Sequence, residues 1–134
     1  MDNKIRVGSA VVLENKNGEI LLVKRKNEPA KGKWVLPGGG IKFGEHSKET
    51  AKREIKEETD YNISVGDFIT TLELINSKEG FHRVILYHKA KLLGGTLKLA
   101  DDAEDIMWIE PKKIKTVENL GEWALQVLKE ACYL

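Results

Sequence analysis

A chain of 134 residues has the length of one domain, enough for a real core and too little for a second domain of ordinary size. Its composition, 41% apolar and 32% charged with 22 basic against 21 acidic side chains, is that of a soluble globular protein. A formal charge of +1 supplies no long-range field for nucleic acid or an anionic membrane, and no apolar run approaches the roughly 20 residues that span a bilayer. The single Cys132 rules out an internal disulfide, and Arg6, Gly8 and Ser9 interrupt the N-terminal apolar stretch where a secretory signal would need continuity. A reducing cytoplasm is the expected compartment.

In chain order, the Val-rich segment Ile5 to Leu13 predicts a strand, and Asn15-Lys16-Asn17-Gly18 a hairpin turn into a second strand, Glu19 to Arg25. Lys26 to Lys33 reads as a polar loop with Pro29 and Gly32, followed by a short strand, Trp34 to Leu36, that Pro37 stops. Gly38-Gly39-Gly40 reads as a loop before a helix that starts at or near Ser47. That helix has a thin apolar side, Ala51 and Ile55 at i and i+4, enough to pack on a sheet while its other face stays open. Asn62 to Leu74 and Phe81 to Leu92 predict two strands joined through Asn76 to Gly80, with Gly94-Gly95 ending the second. A brief strand, Ile106 to Ile109, precedes a closing helix, Leu120 to Tyr133, whose Leu120, Trp123, Ala124, Val127, Leu128 and Ala131 recur at helical spacing as core residues. Strands mixed with helices in this order suit a mixed sheet between helices, an α+β arrangement in one domain over 1–134.

The chemistry concentrates in the first helix. Glu54, Glu57 and Glu58 stand at i, i+3 and i+4, so three carboxylates share one helical face within about one turn. Left alone they repel. Mg²⁺ would reverse that penalty, because it takes oxygen ligands and partners substrate phosphates. The Gly-rich segment and Glu45 before the helix complete a loop-helix-loop cradle. Residues 39–61 resemble the box of the Nudix hydrolases, G-x5-E-x7-R-E-U-x-E-E-x-G-U with U aliphatic: Gly39, Glu45, Arg53, Glu54, Ile55, Glu57 and Glu58 all fall at the required spacing. Lys33-Trp34-Val35-Leu36-Pro37-Gly38-Gly39 resembles the approach to that box. Asp60 and Tyr61 depart from it, replacing a Gly and an aliphatic residue where the helix ends. Asp can adopt the left-handed conformation at modest cost, and Tyr61 can fill an apolar pocket if its hydroxyl finds a partner.

The resemblance implies an α/β/α sandwich and hydrolysis of a phosphoanhydride in a nucleoside diphosphate linked to another group. Mg²⁺, for which Mn²⁺ can substitute, would be held by Glu54, Glu57 and Glu58 with the Gly39 carbonyl, and Glu45 would pair with Arg53 to hold loop against helix. Metal ions suit the reaction because they lower the pKa of bound water and neutralise phosphoryl oxygens. Two sources compete for the general base: Glu57 or Glu58 in the box, and the acidic run Asp101-Asp102-Ala103-Glu104-Asp105, in which Glu104, four residues before Trp108, ranks first by resemblance, because Nudix relatives often carry a site Glu in that region. Arg25, leaving the second strand, is the first candidate for phosphate contact, with Lys24 and Lys26 expected to face solvent because only alternate strand residues share a face. Arg83 is either a second phosphate contact or a surface cation. Phe81, beside a Gly turn, could stack a base, and Asn119 could read one or cap the last helix. The segment after the box lacks the Pro or Tyr that marks ADP-ribose or dinucleoside polyphosphate hydrolases, so the expected substrate is a nucleoside triphosphate, noncognate or oxidised ones included. The runners-up are ADP-ribose or a dinucleoside polyphosphate and, from another class, a non-catalytic nucleotide sensor. The expected partner is thus a small nucleotide, with no nucleic acid and no membrane, for a monomer or homodimer.

Overall fold

A computed structural model describes residues 3–98 and 105–134. Strand β1 (Arg6–Glu14) is buried on both faces, as a near-continuous apolar run requires: Val11 and Leu13 point one way, Ala10 and Val12 the other. The expected turn follows, with Gly18 at φ +76° and the Asn15 side chain accepting hydrogen bonds from the Asn17 and Glu19 amides. Strand β2 (Ile20–Lys24) stops before Arg25, and β3 (Trp34–Val35) pairs with it. The three glycines are not a loop. They form β4 (Gly38–Gly40), antiparallel to β1 with Ser9 opposite Gly39. Glycine is a poor strand former, and at Gly38 it is required because the β1 backbone comes so close that a side chain would not fit.

Helix α1 (Ser47–Thr59) is followed by the long hairpin of β5 (Asn62–Asn76) and β6 (Phe81–Gly94), turned through Ser77–Glu79 and Gly80. Strand β7 (Asp105–Ile109) pairs with β2, and Pro111–Thr116 adds a 3₁₀ turn that apolar periodicity does not signal. The sheet order is β3-β2-β1-β6-β5, with β4 also on β1 and β7 also on β2. Strands β1 and β6 run parallel, while β1–β2, β1–β4 and β5–β6 are antiparallel, so the sheet is mixed.

Helix α1 buries Ala51 and Ile55 against Val11, Leu13, Leu21 and Ala90 on one face, and α2 (Glu122–Glu130) buries Ala124, Val127 and Leu128 against Val12, Leu22 and Tyr87 on the other. This is the α/β/α sandwich. The last helix is shorter than Leu120 to Tyr133, and its N-cap is Gly121, not Asn119, which sits at φ +62° and accepts the Trp34 amide on its carbonyl. Asn suits that left-handed position because its short polar side chain tolerates it. Asp60 ends α1 at φ +66°, donating its amide to Lys56 and pairing with the Lys56 ammonium at 3.1 Å. Tyr61 is buried with its hydroxyl accepting from Trp108 Nε1 at 3.3 Å. Both departures from the box are thereby absorbed locally. Among the described residues, no helix is long and apolar enough to cross a membrane.

His88 lies two residues before Ala90 on the α1 face of β6, buried to 4% exposure, with its ring edge to Phe68 and no hydrogen-bond partner for Nδ1. Burial first, then the positive charges of Lys48 and His46, hold its pKa below 6.5. The folded value lies below the unfolded one, so its stabilising contribution is complete above about pH 6.5 and is lost as the pH falls below it. Melting curves between pH 7 and 5 should therefore show a fall in Tm that shrinks in His88→Phe. An equal fall in the variant would remove His88 as its cause.

Candidate active site

Arg53 organises the open face of α1. Its Nε donates to Glu45 Oε2 at 2.7 Å and one terminal nitrogen to Glu45 Oε1 at 3.0 Å and the Gly40 carbonyl at 3.1 Å. The other donates to Glu54 Oε1 at 2.8 Å and approaches Glu57 at 3.3 Å. Glu45 also accepts the Thr50 hydroxyl at 2.6 Å and the Lys42 amide at 3.2 Å. Such a two-point arginine pairing is stronger and more directional than an exposed ion pair, and with side-chain exposures of 21% and 14% it is not one. The Arg53 hydrogen bond first, then that of Thr50, lowers the Glu45 pKa from 4.5 to about 2. A depressed carboxylate stabilises the fold fully above the unfolded value, so this clamp holds above about pH 4.5 and is released as the pH falls towards 2.

Around this clamp the three box glutamates diverge in accessibility. Glu54 is drawn in against β4: a Cβ on Gly39 would stand 2.2 Å from its carboxyl carbon. Glu57 is more than half exposed at 56%. Glu58 lines a cavity of about 140 Å³ with Lys24, Arg25, Lys26 and Asp105. Ser9 Oγ donates to the Ser47 carbonyl at 2.7 Å, tying β1 to the start of α1. In this arrangement no three His, Cys, Asp or Glu side chains among the described residues converge on one point. The donors nevertheless fit a hard divalent cation. All are oxygens, Gly39 leaves its backbone against Glu54 where any side chain would have stood, and exposed Glu57 reorients without disturbing the core.

Next to β4 lies a cavity of about 200 Å³ whose walls are Leu36, Ile85, Tyr87 and Trp123, with Gly38–Gly40 along one side and Arg6 and Arg83 at its polar end. Trp123 is therefore both part of the α2 packing and a cavity wall. Arg83 is half-buried. Its guanidinium covers the Phe81 ring, 4.8 Å from the centroid, so this face of Phe81 already has a partner. Phe81 and Asn119 are not among the residues that line the apolar cavity. Arg25, outside β2, donates its Nε to the Pro29 carbonyl at 2.7 Å and shares the Glu58 cavity with both neighbouring lysines. Strand alternation fails for these three residues because β2 ends at Lys24. Glu104 lies outside the described residues, but the adjoining Asp105 lines the Glu58 cavity. Arg6, Ser9 and Thr50 escaped sequence reasoning, since nothing in their local pattern marks them.

The profile of the NUDIX domain family matches residues 4–131, nearly the whole chain. The chain belongs to the NUDIX domain family. It is 32% identical over 136 residues to a candidate nudix hydrolase 1 of Caenorhabditis elegans, covering 97% of this chain and 36% of that protein. It is 38% identical over 90 residues to the ADP-ribose pyrophosphatase of Methanocaldococcus jannaschii, covering 67% of this chain and 53% of the relative. A candidate 8-oxo-dGTP diphosphatase of Bacillus subtilis is 34% identical over 109 residues, covering 80% and 68% respectively. This Nudix chain thus spans between about a third and two thirds of these relatives' lengths. The crystal structure of a MutT NUDIX hydrolase from Burkholderia pseudomallei superposes with a TM-score of 0.85 at 26% identity, covering 95% of this chain and 98% of that one.

Proposed function

We propose that this Nudix domain is a Mg²⁺-dependent pyrophosphohydrolase, with Mn²⁺ able to substitute, that converts a nucleoside triphosphate to a nucleoside monophosphate and pyrophosphate. Noncognate and oxidised triphosphates belong to its expected substrates. The observation that carries this reading is the contact of Glu54, on the carboxylate face of α1, with Gly39, which also lines an apolar cavity large enough to receive part of a nucleoside. The likeness to the candidate 8-oxo-dGTP diphosphatase supports it.

Glu54, Glu57, Glu58 and the Gly39 carbonyl would hold the ion, which when bound polarises phosphoryl oxygens and acidifies water. Arg53 positions Glu54 and Glu57 and, through Glu45, keeps the β4–α1 loop at the helix. The cavity shields the nucleoside from water while Arg25 and Arg83 offer charge to the phosphates. Hydrolysis joins the water oxygen to phosphorus, breaks the anhydride P–O bond and transfers the water proton to a carboxylate. Glu57 and Glu58 in the box compete for the role of base with Glu104, which lies outside the described residues. With Glu104 as the base, Glu104→Gln should lower kcat by about 10²-fold. A near-wild-type kcat would return the role to the box.

ADP-ribose is the second reading, favoured by the archaeal relative. Incubating the protein with Mg²⁺ and a panel of nucleoside triphosphates, ADP-ribose and dinucleoside polyphosphates, with products identified by mass, separates the two. Monophosphate plus pyrophosphate from a triphosphate is expected. Ligand binding without turnover anywhere in the panel would overturn the hydrolase reading in favour of a sensor.

A further inference from the structure

The apolar cavity beside β4 has in its wall a side-chain hydroxyl that the fold does not use. Tyr87 is 2% exposed and borders that cavity of about 200 Å³. Its place is fixed from both sides, because β6 pairs it with Ala10 of β1 and with Thr70 of β5. Among the described residues no group hydrogen-bonds to its hydroxyl, whereas the other buried phenol, Tyr61, accepts from Trp108 Nε1. His88 Nδ1 is the one buried side-chain nitrogen or oxygen among the described residues that lacks both a partner and open space beside it. The Tyr87 hydroxyl therefore reaches open space, and the cavity is the space that Tyr87 borders. Burial raises the phenol pKa above its ordinary value, so the hydroxyl keeps its proton. A fold that leaves such a group unpaired forgoes a hydrogen bond that a ligand in the cavity would restore.

A phenol hydroxyl donates one hydrogen bond and can accept others. Opposite a base carbonyl it donates, and its proton is satisfied. Opposite an amino group it accepts, and its own proton is left without a partner. The cavity offers no substitute: among the described residues that line it there is no carboxylate and no side-chain amide, and the Ser9 hydroxyl is turned to the Ser47 carbonyl on α1. An unpaired polar group in a wall that excludes water is what lets a hydrogen-bonding site reject the wrong ligand. Leu36, Ile85 and Trp123 supply apolar and aromatic walls for the rest of a base. We propose that Tyr87 determines the base specificity of this cavity, selecting nucleobases that present a carbonyl oxygen over those that present an amino group at the same ring position. This deepens the triphosphate reading above and rests on it for the cavity being the nucleoside's place.

Inosine and adenosine monophosphate, and likewise uridine and cytidine monophosphate, differ chiefly in an oxo or an amino group on one ring carbon. Titrated by calorimetry into the full chain in EDTA, the oxo member should bind about tenfold more tightly in at least one pair, the one whose ring fits the cavity. Tyr87→Phe should erase that preference by weakening the oxo member alone. Because the hydroxyl has no partner in the fold, the same variant without ligand should melt no lower than wild type. No monophosphate binding, equal affinities within both pairs, a preference that Tyr87→Phe leaves intact, or a Tm lowered by more than about 4 °C would each overturn the assignment. Since the titration needs no turnover, carbonyl selection through Tyr87 in an inactive protein would contradict the hydrolase reading and leave the role of Tyr87 standing. Triphosphate turnover without that selection would do the reverse.

Discussion

Replacing Glu57 by Gln should lower kcat by about 10³-fold, since removing one anionic ligand forfeits several kcal/mol of charge stabilisation, and each 1.4 kcal/mol is about tenfold in rate. The substitution keeps shape and hydrogen-bonding length. Glu57 is 56% exposed, and its contact with Arg53 at 3.3 Å is the longest of that arginine's carboxylate contacts. Arg53 would retain Glu45 and Glu54, so the helix and its loop stay in place. Melting temperature should move by no more than about 4 °C, as expected for loss of a surface pair. Steady-state assays at saturating Mg²⁺ against circular dichroism melts separate the two effects. Activity within tenfold of wild type would show that Glu57 is not a ligand.

The adjacent glycines should fail in different ways when each is replaced by Ala. At Gly38 the new methyl would lie 2.2 Å from the Ser9 carbonyl oxygen and 2.6 Å from Ala10 Cα, both backbone atoms of β1. Relief requires parting β4 from β1, so Gly38→Ala should cost about 3 kcal/mol or more and lower Tm by ten degrees or so, roughly as overpacking in a core does. At Gly39 the methyl meets only the Glu54 carboxylate, the far end of a side chain that can rotate away. Gly39→Ala should therefore fold with a small change in Tm yet lose about 10²-fold or more in activity, through displacement of a ligand. Equal thermal losses at the two positions would refute this division between fold and site.

The box residues were legible because their roles depend on helical periodicity and fixed spacing. Glu54, Glu57 and Glu58 stand on one face, and Glu45 finds Arg53, for reasons that local sequence contains. The helix end at Asp60 was legible too, since few residues other than Gly, Asn and Asp adopt its conformation readily. The strand of three glycines was not. Its pairing with β1 is set by a close approach across thirty residues of chain, and no propensity encodes that. Asn119 misled as a helix cap because the Trp34 amide claims its carbonyl and moves the helix start to Gly121. Arg6 carried no signal in its own neighbourhood: only the parallel β1–β6 register places it beside Arg83. Residues that build the Arg53–Glu45 clamp were therefore readable from spacing, while those that shape the cavities depend on tertiary pairing.

The central claim, that the Glu54, Glu57 and Glu58 face binds a divalent ion to cleave a phosphoanhydride, is tested most directly by the initial rate of pyrophosphate release from a nucleoside triphosphate in Mg²⁺ and in EDTA. The rate should fall by about 10³-fold in EDTA and return when excess Mg²⁺ is restored. Equal rates with and without the ion would contradict it.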